Sequence, residues 1–196
     1  MEGRASNPMG MLTGQGGGKS QPRQGLGGMT RVPVLLEKLS MHIARDGTWY
    51  YQGTAINRPA LVRLFASALR RENDGSYWLV TPAERGRVEV EDVPFTAVAL
   101  RAEGSGPSQK LIFRSNLDEE VIAGEDHPLR VAKMMGAEGP GSDEAIPYIL
   151  IRDRLEARIL RPVFYQLVEF GEENGEQFGV WSSGRFFPLG RVDPAS

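Results

Sequence analysis

At 196 residues, 40% hydrophobic and 24% charged with a formal net charge of −2, the chain has the composition of an ordinary globular protein with room for one or two small domains. That near-neutral balance argues against bulk nucleic-acid binding, which needs a basic excess or stripe to neutralise phosphates. The absence of cysteine removes disulfides, thiolate nucleophiles and Cys-based zinc or iron–sulfur sites together.

In chain order, residues 1–29 are Gly-rich and nearly free of large apolar side chains, which predicts a disordered tail, because too little apolar surface is available to offset ordering entropy. No apolar stretch follows Arg4 to make a secretion signal. The longest apolar runs, VPVLL (32–36) and AIPYILI (145–151), fall short of the roughly 20 residues of a membrane-spanning helix. A cytoplasmic location without membrane insertion is expected. GQGGGKS (14–20) imitates a phosphate loop, but Thr13 stands at its first-glycine position and neither strand nor periodic helix flanks it, so a flexible linker is the expected reading.

Order is expected from about Val32, where PVLLEKLSMHI (33–43) mixes a short helical pattern at Leu35, Leu36 and Leu39 with an emerging strand. Asp46-Gly47 marks a turn into an aromatic strand. Leu61, Leu64, Phe65, Ala68 and Leu69 then recur at helical spacing, predicting an apolar stripe on a core with Arg63, Arg70 and Arg71 toward water. Pro59 suits the first helical turn and Asn57 is a candidate cap. Asn73-Asp74-Gly75 ends the helix, and YWLVTP (77–82), a connection at AERG (83–86) and RVEVE (87–91) read as a strand hairpin.

PFTAVALRAE (94–103), KLIFR (110–114) and EEVIAGE (119–125) are strand-like, with a Gly/Ser/Pro turn at 104–108 and a loop over 136–147. The earlier pattern then returns. Arg45-Asp46, Ile56-x-Arg58-Pro59, helix, Asn73-Asp74-Gly75 and strand are matched by Arg152-Asp153, Ile159-x-Arg161-Pro162, a helix over 162–170, Glu173-Asn174-Gly175 and a hairpin closed at Ser183-Gly184. Aligning the Arg-Pro pairs superposes Phe164 on Leu61, Leu167 on Leu64 and Val168 on Phe65, so the core stripe is expected to recur. The expected fold is α+β: two repeated small domains, each an antiparallel sheet with one helix. The N-terminal repeat domain spans 30–92; the C-terminal domain spans 93–196 and contains the second repeat at 148–190, with 104–108 as the alternative boundary.

Catalytic patterns are missing. His42 and His127 are the only histidines, and no G-x-S-x-G elbow, H-E-x-x-H helix or EF-hand loop occurs. No reaction and no cofactor is expected. The acidic run Asp118, Glu119, Glu120, Glu125, Asp126 is expected to be a solvated face rather than a cation site. Arg58 and Arg161 stand out because each begins a helix, where the macrodipole and unpaired N–H groups already concentrate positive charge. An arginine there calls for an anion. Either Asp46 neutralises Arg58 and Asp153 neutralises Arg161, or a phosphate or carboxylate ligand bridges them. Arg45 and Arg152 precede those aspartates. Trp49 and Tyr51, near Tyr50 and Trp78, are candidate stacking surfaces for a base, and Thr81 and Glu84 end a strand where they either face a cleft or hold a turn.

DGTWYYQG (46–53), INRPALVRLFASAL (56–69), YWLVTPAE (77–84), VEVEDVPF (88–95) and PYILIRDRLEARILRPVFYQLVE (147–169) resemble the bacterial family named domain of unknown function 1285, over about 32–190. Ala55 stands where that family favours Pro, and Arg85 where it favours Lys. The resemblance implies a duplicated core, a C-terminal domain superficially like pleckstrin-homology folds, a site at the domain interface for a nucleotide-like molecule, and a role in signalling. The expectation is a non-catalytic module for a small anionic ligand, met by Arg58 and Arg161 and stacked on Trp49 or Tyr51; the alternative is a protein–protein adaptor with structural arginines.

Overall fold

The computed structural model describes residues 34–36, 39–133 and 145–192. The Gly-rich tail with its GQGGGKS run, and residues 136–144 of the loop expected over 136–147, lie outside them.

The first half contains β1 (Val34–Leu36), β2 (Met41–Ile43), β3 (Trp49–Tyr51), β4 (Thr54–Ala55), α1 (Pro59–Ala68), β5 (Leu69–Arg71), β6 (Tyr77–Val80) and β7 (Glu84–Val90). Its sheet runs β4-β3-β2-β7-β6-β5, with β1 also beside β7. Both β1 and β2 pair with β7 in parallel, which corrects the wholly antiparallel expectation. Parallel strands need a long crossover, and α1 with its flanking strands is that crossover. Residues 34–36 are strand, not helix. Glu84 to Gly86 belong to β7, opposite Val80 and Leu79, rather than to a connection.

The second half comprises β8 (Phe95–Glu103), β9 (Lys110–Ser115), β10 (Glu120–Ile122), β11 (Leu129–Lys133), β12 (Ala145–Arg152), β13 (Leu155–Ile159), α2 (Arg161–Glu169), β14 (Gly171–Asn174), β15 (Gln177–Ser182) and β16 (Arg185–Arg191). The first six form a sheet in the order β10-β9-β8-β13-β12-β11, and the last three a separate meander. Ala145 to Pro147, expected in a loop, open β12 and pair with β11. Each repeat is therefore a hairpin, a helix and three strands. The order is duplicated but the pairing is not: the first meander joins its own hairpin through β2 and β7, whereas the second stands apart and its hairpin joins β8 in parallel.

The helices bury different stripes. α1 turns Val62 and Ala66 inward and α2 turns Val163 and Leu167 inward, each pair one turn apart. Leu64, expected in the core, is 64% exposed, while its aligned counterpart Leu167 is 0% exposed. Leu69 leaves the helix as its C-cap and is buried as the first residue of β5. Arg58, not Asn57, is the N-cap of α1, and neither helix has a side-chain cap hydrogen bond. One core spans both halves, with Ile43, Trp49 and Leu69 from the first packed in the same cluster as Phe95, Phe113, Leu155, Leu167 and Val180 from the second. Among the described residues no helix is long and apolar enough to cross a membrane.

These stripes make unequal demands on packing. Leu167→Ala is expected to destabilise by about 2–5 kcal/mol through lost burial and a residual cavity. Leu64→Ala is expected to stay within about 0.5 kcal/mol, both read from urea unfolding midpoints.

Candidate functional site

Polar side chains stitch the halves together. Arg154 sits in the β12–β13 turn beside Asp153, with φ values of +65° and +43°, a conformation that disfavours residues with a Cβ. Its guanidinium holds that turn against the first half, donating to Asn73 Oδ1 at 2.8 Å and to the Arg71 carbonyl at 2.7 Å. Arg152 donates to the Ala66 carbonyl and to Glu119 Oε1, both at 2.9 Å. At the opposite turn Asn116 donates to the Gly47 carbonyl at 3.3 Å. Gly47 has φ +86°, and a Cβ there would meet Asn116 Nδ2 at 2.8 Å, so the approach requires glycine.

The turn of each repeat lines a cavity with the helix of the other. The larger, about 570 Å³, lies between Arg45-Asp46 of the first repeat and Pro147, Arg158, Arg161, Phe164 and Tyr165 of the second. The smaller, about 300 Å³, lies between Arg152-Asp153 and Arg63, Ala66 and Arg70 of α1. In the smaller cavity the arginines are engaged: Arg63 with Asp118 at 3.1 Å, Arg152 as above, and Arg70 with the Ser67 and Leu69 carbonyls at 2.8 and 2.7 Å.

In the larger cavity Arg45 makes no side-chain ion pair among the described residues, and Arg158 reaches Asp92 at 3.4 Å. Among the described residues its one lining acid, Asp46, is turned to its own loop, where Oδ1 accepts the Thr48 N–H at 2.8 Å. That bond holds the Asp46 carboxyl below its ordinary pKa.

Both expected ion pairs are thereby corrected. Asp46 does not neutralise Arg58, because its carboxylate closes a local turn; Asp153 makes no ion pair among the described residues, and β13 separates it from Arg161. Arg58 is exposed, without a side-chain hydrogen bond among the described residues, and lines neither cavity. Arg161 and Arg45 line the larger one and Arg152 the smaller. Trp49 is 1% exposed and belongs to the core, which rules it out as a stacking surface. Tyr51 is exposed, its hydroxyl accepting from Gln52 at 3.4 Å, and lines neither cavity. Thr81 and Glu84 hold a turn: the Thr81 hydroxyl donates to the Glu84 carbonyl at 3.0 Å and accepts the Glu84 N–H at 2.9 Å. Arg158 and Tyr165 belong to no repeated dipeptide, so the repeat does not mark them; the helical period, with Val163 and Leu167 inward, is the signal that turns Tyr165 outward.

Behind the larger cavity the Tyr148 hydroxyl donates to Asp92 at 2.9 Å, on the other oxygen from Arg158. Burial first, and this bond second, push the Tyr148 phenol up to about 12. The folded state thus holds the proton more tightly than an unfolded tyrosine of pKa about 10, so its contribution is complete below pH 10 and is lost as pH rises toward 12. Stability is expected to fall across that window, and less steeply in Tyr148→Phe, measured by urea unfolding at stepped pH.

Other carboxylates singled out in the sequence pair with arginines, Asp118 with Arg63 and Arg114 and Glu120 with Arg101. Among the described residues no group of three His, Cys, Asp or Glu is placed to hold a metal.

Comparison with known proteins places this geometry in a family. The model for "Domain of unknown function (DUF1285), N-terminal domain" matches residues 31–93, and that for "Protein of unknown function (DUF1285), C-terminal domain" matches residues 94–189. A crystal structure of a DUF1285 family protein from Silicibacter pomeroyi DSS-3 is similar at 46% identity, covering 82% of this chain and 85% of that one, with a TM-score of 0.75. A DUF1285 family protein from Shewanella baltica OS155 is similar at 25% identity, covering 66% of this chain and 91% of that one, with a TM-score of 0.50. No curated protein matches. With both domain models matched in succession over one continuous core, the chain belongs to the DUF1285 family.

Proposed function

We propose that this protein is a non-catalytic binding module for a small anionic, nucleotide-like ligand, seated in the larger cavity between the turn of the first repeat and the helix of the second. The observation that carries this reading is three arginines, Arg45, Arg158 and Arg161, lining one cavity where the one acid among the described lining residues, Asp46, is engaged by its own turn. Its volume of about 570 Å³ suits a small molecule. Guanidinium groups recognise phosphate or carboxylate oxygens in bidentate fashion, and the N-terminus of α2 adds partial positive charge. Tyr165, 64% exposed, offers a flat ring for a base.

Neither histidine lines this cavity: His42 lies 3.0 Å from Glu91, and His127 shares a hydrogen bond with the Leu150 carbonyl. That favours binding over general acid–base chemistry. Because the lining comes from both halves, ligand occupancy would bias how they hold together, which is how a cytoplasmic signalling module would report its ligand. The pleckstrin-homology likeness of the C-terminal half belongs to this proposal as well.

Thermal-shift titration with pyrophosphate and with nucleoside diphosphates tests it. A ligand that binds only the native state raises stability by about 2.7 kcal/mol at a hundredfold excess over Kd. The rise is expected in the wild type and in Arg58→Ala, with affinity weakened about tenfold or more, some 1.4 kcal/mol, in Arg45→Ala and Arg161→Ala. No stabilisation by any of these anions, or an undiminished rise in Arg45→Ala, would overturn it; a stoichiometric protein partner bound irrespective of these substitutions would instead favour the adaptor reading.

A further inference from the structure

Three turns among the described residues place Asp or Asn immediately before glycine, and they differ in what holds them. At Asp46-Gly47 the Gly47 N–H donates to the Ala44 carbonyl at 2.9 Å, while Asp46 Oδ1 accepts from Thr48. At Asp74-Gly75 the Gly75 N–H donates to the Glu72 carbonyl at 3.0 Å, while Asp74 Oδ1 accepts from the Ser76 N–H and hydroxyl at 2.9 and 2.6 Å. At Asn174-Gly175 neither group is engaged: the Asn174 carboxamide and the Gly175 N–H make no hydrogen bond among the described residues. Both residues are exposed, and nothing lies within 4 Å of where a Gly175 Cβ would stand.

We infer that Asn174 is a site of spontaneous deamidation, because its carboxamide and the following backbone nitrogen make no hydrogen bond among the described residues and stand exposed and unobstructed where β14 turns into β15. The Gly175 nitrogen, giving its proton to water, attacks Asn174 Cγ; the new C–N bond forms as the Cγ–Nδ2 bond breaks and ammonia leaves. Water then opens the cyclic imide at either carbonyl, yielding aspartate or isoaspartate. One water enters, one ammonia departs, and nothing is oxidised or reduced.

The remaining described asparagines lack this arrangement. Asn57, Asn73 and Asn116 precede Arg58, Asp74 and Leu117, whose side chains crowd the attacking nitrogen. Asn73 is also held by Arg154 at 2.8 Å, and Asn116 by the Thr96 N–H at 3.2 Å and the Gly47 carbonyl.

Modification would act on an edge. Asn174 pairs with Gln177 as the last rung of β14 against β15, and β14 is the outer strand of its three-stranded sheet. A new carboxylate would join Glu172, Glu173 and Glu176 in one short segment, and like charges so close disfavour the strand. Isoaspartate also lengthens the backbone at that rung and breaks its register. Deamidation therefore marks aged molecules by releasing β14.

The test is peptide-resolved mass spectrometry of the full chain incubated at neutral and mildly alkaline pH, with isoaspartate read by an isoaspartyl methyltransferase. Conversion is expected to concentrate at Asn174, to accelerate with pH, to slow several-fold in Gly175→Ala and to vanish in Asn174→Gln. A synthetic peptide covering 170–180 supplies the unrestrained rate. Conversion at Asn57, Asn73 or Asn116 as fast as at Asn174, or an Asn174 that stays intact while the peptide converts, would overturn the assignment.

Discussion

A buried carboxylate governs how the two halves meet. Glu156, on β13, is 8% exposed, and a charge so removed from water is tolerated only when paired and hydrogen-bonded. Arg130 of β11 grips both of its oxygens, with Nη2 to Oε2 at 2.7 Å, and these bonds raise the Arg130 pKa further. Arg71, at 3.5 Å, comes from β5 in the other half. Tyr148 and Tyr77 lie beneath the two guanidinium groups, 4.2 and 5.5 Å from ring centroid to charge. The second half holds both oxygens of its buried acid with Arg130, and the first half adds a second, longer cationic contact through Arg71. Arg154, next to the same seam, adds the two hydrogen bonds that hold its own left-handed turn.

From that seam follows the reciprocal placement of the repeats. With β5 fixed against β13, the turn of the second repeat lies on α1 and the turn of the first lies by α2. This exchange explains why the pairing expected within each repeat fails. Asp46 lines a cavity with Arg161 rather than meeting Arg58, and Asp153 lines a cavity with Arg63 rather than meeting Arg161. It also explains why the larger cavity draws charge from both halves, and why the duplication, symmetric in element order, leaves two unlike cavities: one with its arginines satisfied internally, the other with Arg45 and Arg158 loosely held.

What was legible in the sequence is what local chemistry encodes. Asp-Gly turns, the Arg-Pro helix starts and the alternation of Val88 and Val90 all mark real boundaries, and the family was recognisable because its motifs are contiguous stretches. The helix orientation was not legible. Leu61, Val62, Leu64, Phe65, Ala66 and Leu69 are apolar on more than one face, so the 3.6-residue period admits two stripes, and only the sheet beneath chooses between them. The parallel pairings of β2 with β7 and of β13 with β8 were equally hidden, since strand direction is a property of the whole chain. β5 and β14, three and four residues long, follow their helices directly or after the single residue Phe170, and leave little separating sequence to reveal them. The partners of Glu156 lie 26 residues away in Arg130 and 85 residues away in Arg71, beyond the reach of any spacing rule.

If one buried carboxylate and one core hold both halves, the protein unfolds as a single cooperative unit. Its three tryptophans divide between them: Trp49 and Trp78 report on the first half, Trp181 on the second. Urea unfolding followed by fluorescence in Trp181→Phe and in the Trp49→Phe, Trp78→Phe double variant, each compared with its own circular dichroism, measures this directly. Coincident transitions for fluorescence and circular dichroism within each variant are predicted. A fluorescence midpoint that departs from the circular-dichroism midpoint, with one half melting while the other persists, would contradict it.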